Sequence, residues 1–231
     1  MNEQDFLLRI ATRLGRKQPL GETPRRPVVG AAGLRSARRI FREEIIARFC
    51  AELEALGGVA IRCETTASLR DQLSRVLQQL SPQHVACWED GLAEAFNVEQ
   101  TLSGYQADGR KAVSGTARKT WLQRIAEADI GITGCDYAVA ETGTVVLLAG
   151  SQRGRAVSLL PSVHIVLVRG GCIRMHLGDV LHELGHLPGH TGTTLPAVNF
   201  ISGPSRSSDI ENDLSIGVHG PAALYALILE G

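Results

Sequence analysis

The feature that most restricts the fold of this chain is an alternation of helical and extended patterns over residues 34–88. Leu34, Ala37, Phe41, Ile45, Phe49, Leu53 and Leu56 recur at three- and four-residue steps, which lays one apolar stripe along a helix. Gly57-Gly58 ends it, and Val59–Cys63 reads as a strand. Residues 66–80 return to helical spacing, with Leu69, Leu73, Val76, Leu77 and Leu80 on one side, and His84–Trp88 is extended again. Strand, helix and strand in succession need a crossover connection, so the pattern predicts a mainly parallel sheet flanked by helices.

The alternation resumes after a polar, glycine-bearing middle stretch, 91–116. A helix is expected over 117–128, then strands at Ile130–Thr133, Thr144–Ala149, Ile165–Arg169, Ala197–Ile201 and Tyr225–Leu229. The unbroken apolar run from Thr144 fits a strand covered on both faces. Ahead of this body, residues 3–14 form an amphipathic helix carrying Phe6, Leu7, Ile10 and Leu14. Residues 17–33, with three prolines and three glycines, read as a linker. The expected organisation is therefore an N-terminal helix and linker over 1–33 and one α/β domain over 34–231.

Charge separates the same two parts. Residues 1–48 carry 11 Lys/Arg against 5 Asp/Glu, and the remainder carries 13 against 19, for a net charge of zero. Either the basic arm is a solvated helix face, or it docks on an acidic surface. The absence of a global basic excess gives no support to nucleic-acid binding, and 4% aromatics supply no base-stacking platform. No apolar run approaches the ~20 residues of a membrane helix, and the N-terminus lacks a secretion signal, so a cytoplasmic location is expected.

Five cysteines, none two residues from another, argue against a disulfide framework and against an iron–sulfur cluster held by this chain alone. No cofactor is expected in the chain itself. His182-Glu-Leu-Gly-His186 matches the H-E-x-x-H pattern of zinc hydrolases, but Gly185 and Pro188 disturb the helix that pattern needs, and Gly192 stands where an extended motif would have a third histidine. A histidine-rich loop or helix end is the expected reading, with no metal site.

Three segments carry the candidate chemistry, each after or before an expected strand. In open parallel sheets, ligands bind outside the carboxyl ends of strands. In Gly131–Thr144, Glu141 is a carboxylate beside the hydroxyls and glycine of Thr142, Gly143 and Thr144. It serves either as base or nucleophile, or as an acceptor for turn amides. In Ile201–Glu211, Gly203, Ser205, Arg206, Ser207 and Asp209 suit either an anion pocket or a helix cap with Arg206 in an internal pair. In Ile216–Pro221, His219 is either a proton carrier or a structural imidazole. Arg155, in a loop between the first two segments, either completes an anion site or faces solvent.

Taken together, Ala128-Asp-Ile-Gly-Ile-Thr133 with Ala140-Glu-Thr-Gly-Thr144, Leu159-Leu-Pro-Ser-Val-His164, Ile201-Ser-Gly-Pro-Ser-Arg-Ser-Ser-Asp-Ile-Glu211 and Gly217-Val-His-Gly-Pro221 resemble the LUD domain, in its lactate-utilization protein C branch. The resemblance is strong over 120–231. It implies a Rossmann-like three-layer α/β sandwich similar to the sugar-phosphate isomerase and CoA-transferase superfamily. It implies an accessory role in oxidising L-lactate to pyruvate beside two iron–sulfur partner proteins that carry the clusters. It supplies no catalytic residues, so whether this chain is itself an enzyme stays open. The expectation from the residues is that Glu141 and His219 move a proton, while Thr142, Gly143, Thr144, Arg155, Gly203, Ser205, Arg206, Ser207 and Asp209 hold a small anion. The alternatives are a stand-alone enzyme on a phosphoester or CoA thioester, and a zinc hydrolase.

Overall fold

A computed structural model describes residues 3–18, 41–88, 95–107, 116–150, 153–186, 197–208 and 214–231. It divides the chain into two compact units, 1–38 and 39–231. The first contains helix α1 (Glu3–Arg13), on which Phe6, Leu7, Leu8 and Ile10 are all exposed. Residues 34–40 and Asp209 lie outside the described residues.

The second unit is built on six parallel strands in the order β1 (Val59–Cys63), β12 (Ala223–Leu229), β7 (Val163–Arg169), β4 (Ile130–Gly134), β2 (His84–Cys87), β3 (Gln106–Ala107). Helix α2 (Arg42–Ala55) buries Ile46, Phe49 and Leu53 and packs on β1. Gly57, at φ +81°, turns the chain out of it, a left-handed conformation that only glycine adopts freely. Helix α3 (Thr66–Leu80) packs on β1 and β12 through Leu69, Leu73, Val76 and Leu77. Its first turn is fixed by a reciprocal cap: the Ser68 amide donates to Thr65 Oγ1, and the Thr65 amide donates to Ser68 Oγ. Burying each of these leucines removes enough apolar surface from water to stabilise the fold by ~1.5–3 kcal/mol. Short helical turns α4 (Glu99–Leu102) and α6 (Ala156–Leu159) and helix α5 (Thr116–Ala126) complete the cover, with α6 packed on β4, β7 and α5.

A second sheet of four strands lies in the order β8 (Ile173–Arg174), β5 (Tyr137–Val139), β6 (Thr144–Leu148), β9 (Val198–Ile201). Here β6 runs antiparallel to both β5 and β9. The six-stranded sheet is the mainly parallel one expected from the sequence, and this mixed sheet stands in addition to it. The apolar run of β6 is real, but its alternate residues serve two cores. Val145 and Leu147 join the main core. Val146 joins Val139, Val180 and Leu184, the last two on helix α7 (Leu177–Gly185). Burial on both faces makes a strand uniformly apolar whatever its direction, so the pattern alone did not separate the two sheets. A small hairpin of β10 (Arg206–Ser208) and β11 (Leu214–Ile216) pairs Arg206 with Ile216.

Candidate functional site

The chain positions a cavity of about 230 Å³ where the loop after β9 meets the segments that enter β7 and β12. Its wall includes Ser158, His164, Ser202, Gly203, Ser205 and His219, with Leu159, Phe200, Ile201 and Leu224 supplying apolar surface. The location departs from the expectation drawn from parallel sheets. His164 is the second residue of β7, and His219 and Pro221 precede β12, so the cavity sits at the amino ends of two central strands.

Local geometry explains why these segments meet. The β10–β11 pairing returns the chain so that the Gly217 amide donates to Ser205 O at 3.0 Å and the Ser205 amide donates to Pro221 O at 2.8 Å. The Ala222 amide then donates to Ser162 O at 2.8 Å, just ahead of β7. On the other side, Thr144 Oγ1 lies 2.7 Å from Ser202 Oγ and 2.7 Å from Thr142 Oγ1, a hydroxyl chain linking the start of β6 to the end of β9. Close approach of α6 to β4 is possible because residue 131 is glycine: a Cβ there would lie 1.8 Å from Val157 O.

His164 is the buried polar centre of this wall. It is 1% exposed, and burial pushes its imidazole from the ordinary 6.5 down to about 3, so the ring is neutral at physiological pH. Nε2 bonds the buried Thr133 Oγ1 at 2.8 Å, while Nδ1 is buried with no hydrogen-bond partner among the described residues. An unmet buried ring nitrogen costs roughly 1–3 kcal/mol. In the sequence His164 stands out with Arg153 and Arg155 between the first two segments and Ser202 falls in the hydroxyl cluster after Ile201, whereas Ser158 carried no signal.

Of the residues singled out in the sequence, Gly203, Ser205 and His219 line the cavity. Thr142 and Thr144 adjoin it through Ser202. Gly143 instead marks a close contact with α2, where a Cβ would come within 2.4 Å of Leu53 N. Arg155 is exposed ahead of α6, with its carbonyl accepting from Ser158 Oγ at 3.1 Å. Ser207 is half-buried on β10, opposite Ser215.

Glu141 and Arg206 are directed to other tasks. Glu141 Oε1 accepts from the Leu177 amide at 2.7 Å, and Oε2 lies 2.7 Å from His176 Nδ1, so the carboxylate fixes the start of α7. Burial raises its pKa, but the bonds from His176 and Leu177 and the nearby imidazole outweigh it and leave the carboxyl below its ordinary value. The Arg206 guanidinium donates to Leu56 O at the end of α2. The other acid of the first segment, Asp136, accepts from Arg153 Nη1 at 2.5 Å and from the Leu148 amide at 2.8 Å.

The H-E-x-x-H segment forms the end of α7, with His186 as its C-cap. Glu183 is held in a two-point pair by Arg174, Nε to Oε1 at 2.6 Å and Nη2 to Oε2 at 3.1 Å. His186 Nδ1 lies 2.7 Å from His182 O. Among the described residues no group of three His, Cys, Asp or Glu gathers to hold a metal. Nor, among them, is any helix long and apolar enough to cross a membrane.

Comparison with known proteins places this geometry in a family. The LUD domain model matches residues 46–229. Lactate utilization protein C of Halalkalibacterium halodurans is 38% identical over 163 residues, covering 70% of this chain and 69% of that protein. Lactate utilization protein C 1 of Bacillus mycoides is 31% identical over 99% of this chain and 97% of its own length, and the Bacillus subtilis protein C is 31% identical over 98% and 96%. The crystal structure of a DUF162 family protein from Deinococcus radiodurans shares the fold, with a TM-score of 0.59 at 22% identity over 83% of this chain and 99% of that one. The chain belongs to the LUD-domain family, in its lactate-utilization protein C branch.

Proposed function

We propose that the chain serves lactate utilization as a non-redox subunit beside two iron–sulfur proteins that oxidise L-lactate to pyruvate, and that its cavity receives a small hydroxy- or keto-carboxylate. Relatives named lactate utilization protein C, at about 30% identity over nearly the full chain, support the biological role. The observation that carries the ligand reading is a small cavity whose lining brings together Ser202, Ser205 and His219 beside apolar surface. A volume of about 230 Å³ lies below the ~300–1,000 Å³ of drug-sized sites and suits a metabolite of a few heavy atoms.

In this reading Ser202 and Ser205 bond the oxygens of the ligand, with the neutral His164 ring part of the wall. Leu159, Phe200 and Leu224 cover its methyl end. His219, exposed at the cavity, offers an imidazole to the carboxylate. The hydroxyl chain Thr142–Thr144–Ser202 holds Ser202 in place. Arg206, turned to Leu56, has no part in it.

Deletion of the gene tests the role, and affinity purification of the tagged full chain from lactate-grown cells tests the assembly. Loss of growth on L-lactate with growth on glucose intact, and recovery of two iron–sulfur proteins with the chain, are expected. Unimpaired growth on L-lactate would remove the proposal.

A further inference from the structure

Cys135 and Cys172 present their thiols to each other at 3.5 Å, Sγ to Sγ, across 37 positions of sequence. Both are free and half-buried. Cys135 directly follows β4, and Cys172 ends a 3-10 turn, Gly170–Cys172, that leads into β8. The parallel pairing of β8 with β5, Ala138 opposite Ile173, brings the two residues together at the junction between the two sheets.

The pair is asymmetric. The Cys172 thiol is held below its ordinary value because Cys135 donates to it. The Arg169 backbone and the Arg174 guanidinium add to this against the opposing effect of burial. Cys135 is pushed well above its ordinary value, first by its bond to Cys172 and then by burial. One sulfur favoured as thiolate beside one kept as thiol is the arrangement of an attacking and a resolving cysteine. The other three differ. Burial raises Cys50 and Cys63, and the buried Cys87 donates to Trp88 O.

We infer that Cys135 and Cys172 form an oxidation site, a dithiol that a peroxide converts into an intramolecular disulfide. The Cys172 thiolate attacks one peroxide oxygen, the O–O bond breaks, and the departing hydroxide takes a proton to leave as water. Cys172 is then a sulfenic acid. Cys135 sulfur attacks Cys172 Sγ, the S–O bond breaks, and the hydroxyl leaves as a second water with the Cys135 proton. Two thiols lose two electrons and the peroxide gains them. The sulfurs must approach from 3.5 Å to a bond of ~2.05 Å, and both lie outside the regular strands. The ring so closed contains Ser158 and His164 of the cavity.

The test treats the reduced full-length protein with hydrogen peroxide, blocks remaining thiols with an alkylating reagent and reads the products by intact and peptide mass spectrometry. Wild type is expected to lose two alkylatable thiols and to yield one cross-linked peptide pair joining Cys135 to Cys172. Cys135→Ser is expected to stop at a sulfenic acid on Cys172 that a dimedone probe captures, and Cys172→Ser to form neither product at that peroxide dose. Full alkylation of wild type after treatment, or a disulfide joining other cysteines, overturns the inference. Because no lactate assay enters, this result stands apart from the proposed role.

Discussion

His164 Nε2 lies 2.8 Å from Thr133 Oγ1, and the other ring nitrogen is buried with no hydrogen-bond partner among the described residues. Gly131, two residues before Thr133, lets α6 close over β4, and β4 pairs with β7 so that Gly131 stands opposite His164. The buried imidazole is thus set by strand register.

Its burial gives stability a pH dependence. The folded His164 stays neutral down to about 3, whereas the unfolded residue takes up a proton near 6.5. Between those values the unfolded state binds more protons, so stability rises with pH and is complete above about 6.5. The full loss on descending toward pH 3 is on the order of 4 kcal/mol. Urea titrations at several pH values should show that slope, and His164→Gln should flatten it. An unchanged slope would show that His164 is not the group responsible.

Glu141→Gln should destabilise the fold by ~1 kcal/mol, since one carboxylate satisfies both the first amide of α7 and His176. Because its folded pKa is depressed, its contribution is present above the ordinary carboxylate range and fades as pH falls through the folded value. Ligand affinity should be unaffected. A loss of affinity without a change in denaturation midpoint would instead place Glu141 in the site.

Gly131→Ala should be severe, at ~3 kcal/mol or more, because the added methyl would meet the backbone oxygen of Val157 at 1.8 Å. Thermal melting or soluble yield measures it. A near-neutral variant would mean that α6 does not sit as described.

Arg206→Ala should change affinity for L-lactate less than about twofold and stability by ~1 kcal/mol, the ordinary worth of a hydrogen bond to Leu56 O. A tenfold loss of affinity would return Arg206 to the ligand.

Much of this was legible in the sequence. Strand β1 and helix α3 end where the periodicity placed them, because Gly57-Gly58 and the Thr65 cap punctuate the chain locally. The segments around 144, 203–205 and 219 do come together. What the sequence did not disclose depends on pairing at long range. The direction of β6, the turn of Arg206 toward α2 and the capture of Glu141 by α7 are each decided by partners distant in sequence. The short strands Tyr137–Val139 and Ile173–Arg174 are too brief for a period of two to register. His164 was noted in the sequence between the first two segments, but its burial against Thr133 depends on the pairing of β4 with β7.

The central claim is most directly tested by calorimetric titration of the purified full chain with L-lactate and with pyruvate. Saturable one-to-one binding of at least one of them is expected, weakened about tenfold by His219→Ala and abolished by Ser205→Trp, with both variants melting as wild type does. Absence of saturable binding to the folded wild-type chain, or binding indifferent to both substitutions, would contradict the assignment of this cavity as the ligand site.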